Sequence, residues 1–215
     1  CVIFENTNTI SKDYENLKDL LRPNHADYPA RIKFKGFNDI RGGGHFSGRI
    51  TLPLIYAGAI AIDILEEKGI KIFSHIKRIL DIKDKSFLDF EEIDLEKFEN
   101  LKESFLPFIE NDLENKTKEL LEKIKLSGNS VGGEIECACF NLPVGLGSPF
   151  FDSLESKISH LAFSVPAIKG ISFGIGFDFA NILGSEANDL YYLDNNEIKT
   201  RTNNNGGILG GLSTG

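Results

Sequence analysis

An α+β fold, with helices packed on sheets, is the class this sequence predicts, and three observations carry it. Segments with period-two apolar alternation (70–79, 134–141 and 171–177) are interleaved with segments of helical spacing (46–68, 113–125 and 150–163). Glycine and proline punctuate the joins, at Gly69, Gly128 to Gly133, and Pro143 to Pro149. The length of 215 residues, 41% hydrophobic and 26% charged, suits one soluble domain with a substantial core.

In order, residues 1–4 (Cys-Val-Ile-Phe) read as a short strand, and Ser11 as the N-cap of a short helix over 13–21 that ends as Pro23 approaches. The stretch 22–44 has little periodicity, although Ile32 and Phe34 fit a brief strand, and a loop this long inside a compact domain points to function. Residues 46–68 are apolar nearly all round, which predicts a buried helix, with Pro53 in its first turn and Ala57-Gly58-Ala59 admitting a close neighbour. Gly69 ends it and a strand follows over 70–79.

The charged region 81–126 carries apolar residues at helical spacing, predicting amphipathic helices over 95–109 and 113–125, or one helix bent at Pro107. Its carboxylates read as surface charge without an acid–base role. Gly128 to Gly133 turns into the strand 134–141, in which Ile135, Cys137 and Cys139 share one face and read as small buried residues. A helix over 150–163 leads to the turn 165–170 and a strand over 171–177, where Gly174 and Gly176 leave room for a close neighbour.

The net charge of −8 argues against duplex nucleic acid as a partner, so a basic site would act inside an acidic shell. Three cysteines, two of them as Cys137-Ala138-Cys139, have neither disulfide-framework nor metal-ligand spacing, which suits a reducing cytoplasm and predicts no metal. No run of eighteen apolar residues predicts a membrane span. The chain lacks methionine, opens on an apolar pattern and stops inside a glycine-rich turn, so a chain incomplete at both ends is expected. No Gly-x-Gly-x-x-Gly nucleotide fingerprint is present.

The chemistry concentrates between residues 22 and 49, where Arg22, Arg41, Arg49, His25, His45 and Asp27 accompany the glycines 42–44. Glycines admit positive φ and close approach of a ligand to the backbone, a helix start offers free N–H groups, and arginine forks match phosphate or carboxylate. Together they predict an anionic ligand, although a triple glycine is also the chemistry of a tight turn. Arg49 in the first turn of the apolar helix opposes the helix dipole, which again implies an anion there. Flanking Arg22 and Asp27 are placed to set the pKa and tautomer of His25. The late asparagine and glycine run 203–211 reads either as turn chemistry or as a backbone-lined cradle.

Arg22-Pro-Asn-His-Ala-Asp27 followed by Arg41-Gly-Gly-Gly-His-Phe-Ser-Gly-Arg49 resembles the paired central signature of the chorismate synthase family. Gly128 to Gly133, Val165 to Gly170 and Thr202 to Ser213 agree with its further segments, in order. The resemblance implies a β-α-β-α sandwich, here the central part of a single domain over 1–215 and incomplete at both ends, and usually a homotetramer. It implies a cytoplasmic lyase of the shikimate pathway of aromatic amino-acid synthesis. Such an enzyme eliminates phosphate from 5-enolpyruvylshikimate 3-phosphate, by 1,4-elimination, to give chorismate. It depends on reduced FMN without net redox change, with NADP as a nucleotide associated with the family; by what route the flavin is reduced stays open. The alternative is a non-catalytic fragment that binds flavin or a phosphate ligand.

Position by position, His25 matches the family's proton-transfer histidine, and Arg22 and Arg49 match arginines that hold the substrate. His45, Phe46, Ser47, Pro166, Ala167 and Gly210 match positions that contact FMN. Asn24 stands where glycine is commonest, and asparagine tolerates the left-handed region the turn needs. His45-Phe-Ser-Gly-Arg49 replaces a common Arg-Ser-Ser-Ala-Arg, losing one arginine, and Pro166 replaces a frequent asparagine, losing a side-chain donor. A further catalytic histidine near the family's N-terminus and a histidine–aspartate motif near its C-terminus have no counterpart in these residues.

Overall fold

The computed structural model describes residues 1–6, 10, 12, 14–15, 19–90 and 94–215, with 42 and 43 by backbone only. The expected cap at Ser11 and residues 13 and 16–18 of the helix expected over 13–21 lie outside the described residues. The chain forms two compact units, one of Cys1–Asp63 with Ser156–Ile171 and one of Ile64–Glu155 with Ser172–Gly215.

The larger unit is built on an antiparallel sheet in which β1 (Lys71–Ile79) is central, flanked by β2 (Ile82–Lys83) and β3 (Glu134–Phe140). Alternation decides which residues face inward: Phe73, His75 and Ile79 of β1 are buried, while Ser74 and Arg78 are exposed. His75 pairs directly with Glu136 and Phe73 with Ala138, so Glu136, Ala138 and Phe140 form the inner face of β3. This reverses the expected face. Cys137 and Cys139 are exposed free thiols, because the register places a carboxylate, not a thiol, opposite the buried histidine.

Phe73, Phe87, Phe98 and Leu101 make the core, with Phe90, Ile109 and Phe140 packed against it. The Phe87 ring meets Phe98 edge-on at 5.0 Å and 88°, a favoured quadrupolar contact. Two of these residues come from a shorter helix than expected. α3 (Glu96–Glu99) continues only as a 3-10 turn, Asn100–Lys102, and the chain then runs irregularly past Pro107. Pro107 lacks an N–H to prolong a helix, and its carbonyl instead accepts from Ile76 N–H at 2.8 Å. α4 (Leu113–Leu126) forms as expected, and Asn129 N–H and Gly128 N–H close its end on the Ile124 and Lys125 carbonyls.

Residues 171–177 do not form the expected strand. Gly174 and Gly176 take φ +58° and +59°, and 3-10 structure runs over Gly176–Asn181. The close neighbour those glycines foreshadowed is present: Ile175 N–H donates to the Asn204 carbonyl at 2.9 Å, and a Cβ at Gly174 would run into that carbonyl and the Gly206 nitrogen. Gly174→Ala is therefore expected to destabilise this unit by about 2 kcal/mol or more, seen as a lower urea midpoint with unchanged slope. The asparagine run is turn chemistry. The backbone N–H groups of Asn204 and Asn205 donate to the Asp189 carboxylate at 2.7 and 2.9 Å, so these amides are already engaged.

After α6 (Gly184–Ala187), the hairpin of β4 (Tyr191–Asp194) and β5 (Glu197–Thr200) turns at Asn195 and Asn196, both at positive φ. A second hairpin joins β6 (Ile208–Leu209) to β7 (Leu212–Ser213) through Gly210 and Gly211, at φ +61° and +88°. Gly211 cannot take a side chain, since its Cβ position lies 2.8 Å from the Ser148 carbonyl.

In the smaller unit, residues 1–6 take no regular structure, where a strand was expected over 1–4. Ile32 and Phe34, expected in a strand, lie instead in and at the end of α1 (Asp27–Lys33), an i,i+4 helix opened by an acidic residue and closed by basic ones. α2 (Leu52–Glu66) has Pro53 in its first turn as expected, and two 3-10 turns, Arg41–Phe46 and Gly48–Thr51, precede it. Its expected burial is not met: α2 has no buried residue, and Ile55 is 66% exposed. Neighbours on all sides are needed to bury an all-round apolar helix, and the described residues do not supply them. The stretch Gly48–Glu66, 19 residues with mean hydropathy 1.5, is long and apolar enough to cross a membrane by length and composition. The expectation that no uninterrupted run of eighteen apolar residues occurs holds, since Arg49, Thr51, Tyr56, Gly58 and Asp63 interrupt the stretch; it passes on average composition, as the core helix of a globular protein also does. α5 (Leu154–Ala162) forms within the expected 150–163 segment, preceded by a 3-10 turn, Phe150–Asp152.

Candidate functional site

Arg22, His25 and Asp27 form one cluster, and the turn between them is what brings it together. Pro23 occupies the second position of a four-residue turn closed by His25 N–H to the Arg22 carbonyl at 3.3 Å, and Asn24 in the third takes φ +57°. Proline before a residue at positive φ is the pattern of a type II turn, so asparagine serves where glycine would. The reversal folds Arg22 back over the first residue of α1. There the Asp27 carboxylate accepts from Arg22 backbone N–H at 3.0 Å, from Nε at 2.8 Å and from Nη2 at 2.8 Å. This planar, two-point pairing holds the Asp27 carboxyl well below its ordinary range and raises the Arg22 guanidinium further.

His25 Nδ1 lies 2.6 Å from Asp27 Oδ1 and 3.2 Å from Arg22 Nη2. All three side chains are partly buried, at 31% exposed for Arg22, 26% for His25 and 14% for Asp27. Arg22 and Asp27 line a cleft of about 150 Å³, together with Leu21, Arg31 and Ile40. Nε and Nη2 of Arg22 face Asp27, and Nη1 has no partner among the described residues, so one edge of the fork is available to an anion.

The glycine segment is arranged differently from a helix N-terminus. Arg41 is held by its neighbour Asp39 through Nε at 2.9 Å and Nη2 at 2.8 Å, which keeps the Asp39 carboxyl at about 2. Gly44 sits at φ +52°, where a Cβ would lie 2.7 Å from the Asp39 carbonyl. His45 and Phe46 end the first 3-10 turn and are exposed. Ser47 caps the second, its hydroxyl accepting from Arg49 N–H at 3.2 Å. Arg49 is exposed within that turn and lies ahead of α2, not inside it.

Pro166 and Ala167 form the corner of another turn, Ile168 N–H reaching the Val165 carbonyl at 3.4 Å. Ala167 takes φ +71°, a strained region for a residue with a Cβ, and both residues are exposed. Gly210 belongs to the other unit, at the exposed tip of its hairpin.

Sequence reasoning missed a buried ionic network in the larger unit. His75 Nδ1 meets Asp84 Oδ2 at 3.0 Å and Nε2 meets Glu136 Oε2 at 2.9 Å, with the His75 and Asp84 side chains fully buried. Asp84 also accepts from the Ile109 and Glu110 backbone N–H groups, which ties the irregular 107–110 segment to β1. Asp84 thus departs from the surface charge expected of the 81–126 carboxylates. The available signal was His75 two residues after Phe73, which puts an imidazole on the core face of a strand.

The family model of chorismate synthase matches residues 1–215. This chain belongs to the chorismate synthase family. A chorismate synthase of Pyrococcus abyssi is 44% identical over 214 residues, covering 100% of this chain and 58% of that protein. Chorismate synthases of Thermococcus kodakarensis and Dehalococcoides mccartyi are 42% and 38% identical, each over 58% of its own length. A crystal structure of a chorismate synthase superposes with a TM-score of 0.78 at 28% identity, covering 87% of this chain and 59% of the other. The expected α+β fold of the chorismate synthase type is thereby established, and the chain spans a little under three fifths of the relatives it matches.

Proposed function

We propose that this chain carries the central, anion-binding part of a chorismate synthase, a lyase that releases phosphate from 5-enolpyruvylshikimate 3-phosphate to give chorismate. The observation that supports it most is the Arg22–His25–Asp27 cluster. It sets a guanidinium edge beside a half-buried imidazole whose Nδ1 is engaged by a carboxylate. An elimination that expels phosphate and removes a ring proton needs a cation for the departing anion and a group that exchanges protons, and these residues have both chemistries. In this reading Arg22 and Arg49 hold the substrate's anionic groups and His25 moves a proton at Nε2.

Reduced FMN fits the residues of the smaller unit. Phe46 offers an exposed ring to a flat heterocycle, His45 and Ser47 offer polar partners beside it, and the strained turn at Pro166 and Ala167 presents backbone to a ligand. Gly210 is assigned to the flavin on the resemblance. When bound, the reduced flavin supplies electron density to the substrate transiently. The protein residues bind, orient and keep water away.

We assign α2 to the interior of the family's sandwich and not to a membrane, since the family match runs through it without interruption. A homotetramer, a cytoplasmic site and NADP as an associated nucleotide belong to the same reading. So does the absence of a nucleic-acid partner, which the charge of −8 supports.

The test is an anaerobic assay with dithionite-reduced FMN and the phosphorylated substrate. It follows flavin absorbance and phosphate release together, on the 215-residue chain and on a chain of the relatives' length. Phosphate release by the longer chain is expected. A flavin spectral change without phosphate in both would replace the enzyme by a binding protein.

A further inference from the structure

The contacts at His25 Nδ1 decide which of its nitrogens carries a proton. Asp27 Oδ1 is 2.6 Å away and Arg22 Nη2 is 3.2 Å away. If Nδ1 presented its lone pair, it would face a carboxylate oxygen at 2.6 Å with no proton between them. A proton on Nδ1 makes the 2.6 Å contact a charge-assisted pair, and the guanidinium, which can only donate and lies in hydrogen-bonding reach of Nδ1 at 3.2 Å, then turns its N–H from the ring to the carboxylate alone. The guanidinium is already satisfied by the same carboxylate through Nε and Nη2. Asp27 stays ionised while doing this, because the Arg22 hydrogen bonds hold its carboxyl far below the ordinary range.

We propose that Asp27 is the positioning residue of this site. It fixes His25 as the Nδ1–H tautomer with Nε2 free to accept a proton, and by the same carboxylate it holds the Arg22 fork with its other edge outward. The proposal deepens the reading of His25 as the proton-transfer group and rests on it for its functional part. When Nε2 takes up a proton the ring becomes an imidazolium, Nδ1–H remains on Asp27, and the carboxylate stays a carboxylate. The other charged groups lining the cleft, Asp19 and Arg31, lie 3.8 Å from one another.

Asp27 is also built into the backbone, which separates it from a surface counter-ion. It is the first residue of α1 and accepts the Arg22 N–H, so its position is set by the helix start and by the turn at Pro23 and Asn24. In Asp27→Glu a longer side chain brings a carboxylate to the same partners from a displaced position. Asp27→Asn keeps the shape of the side chain and offers Nδ1 no charge.

Imidazole nitrogen NMR on the chain labelled with [15N]histidine reads the tautomer without any ligand, His25 being assigned by the loss of its signals in His25→Gln. The wild-type chain is expected to show His25 protonated at Nδ1 at neutral pH, and Asp27→Asn to shift the population toward Nε2–H. Asp27→Glu is expected to restore part of the Nδ1–H form. An Nε2–H tautomer in the wild type, or one indifferent to Asp27→Asn, overturns the proposal.

In a chain of the relatives' length, Asp27→Asn is expected to lower kcat on the order of 100-fold, with a displaced pH profile and partial rescue by glutamate. Unchanged kcat and profile would also overturn it. Failure of the wild-type longer chain to release phosphate would refute the enzymatic reading alone, and the NMR result would still decide the role of Asp27.

Discussion

Glu136→Ala is expected to destabilise the larger unit by about 3–5 kcal/mol, the range for removing one partner of a buried ion pair. Each oxygen of this carboxylate has two partners. Oε2 takes His75 Nε2 at 2.9 Å and Phe87 N–H at 2.8 Å, while Oε1 takes Lys77 Nζ and Ser86 Oγ, each at 2.6 Å. Lys77 is 37% exposed and turns to water when the carboxylate is gone, but the His75 side chain is fully buried and its Nε2 is left without an acceptor. The imidazole also stands edge-on to Phe87 at 4.9 Å, so any movement that rehydrates it disturbs the aromatic core. Urea unfolding checks this. Glu134→Ala is the control, since Glu134 is 60% exposed and meets Arg78 only at 3.7 Å, and its expected effect is within about 0.5 kcal/mol.

The same carboxylate makes the unit sensitive to acid. Burial pushes the Glu136 carboxyl up, but the hydrogen bonds from His75, Lys77, Ser86 and Phe87 N–H together outweigh it and lower it from 4.5 to about 2. A carboxyl depressed in the folded state binds fewer protons there than in the unfolded chain. Its contribution is therefore complete above about pH 4.5 and is lost as the pH falls toward 2, on the order of 3 kcal/mol in all. Stability measured from about pH 6 down to about pH 2 is expected to fall less steeply in Glu136→Ala than in the wild type. Parallel curves would show that the charge contributes nothing specific.

What the sequence disclosed follows how local the signal was. The cluster at residues 22–27 was legible because its parts are neighbours in the chain: proline before asparagine makes the turn, and the turn makes the contacts. The strands β1 and β3 were legible from alternation, yet the inner face of β3 was not. Ile135, Cys137 and Cys139 look more apolar than Glu136, Ala138 and Phe140 until one knows that His75 stands opposite Glu136. A register across 61 residues cannot be read from either strand alone. Residues 171–177 have a strand's period, but Gly174 and Gly176 at positive φ, with Asn204 packed against the first, turn the chain instead. α2 is the opposite case. Its all-round apolarity is plain in the composition and predicts a burial that the described residues do not supply.

Arg22→Ala, in a chain of the relatives' length, is expected to raise KM for the phosphorylated substrate about 100-fold, roughly 3 kcal/mol. Arg22 performs two tasks with one group. Nε and Nη2 face Asp27, leaving the Nη1 edge for an anion, so a single fork links the carboxylate that holds it to the ligand it holds. Alanine removes both links, leaving Asp27, at 14% exposure, without its main cation; its carboxyl then rises back toward the ordinary range. Arg22→Lys separates the tasks. An ammonium satisfies Asp27 or the anion but cannot span both with a planar fork, so KM is expected to fall between wild type and alanine while the Asp27 contact with His25 survives. Affinity for the reduced flavin, measured anaerobically without substrate, is expected to change little in either variant. If KM is unmoved in Arg22→Ala, the substrate's anion does not meet this cluster, and Arg49, in the turn that leads into α2, becomes the residue to replace next.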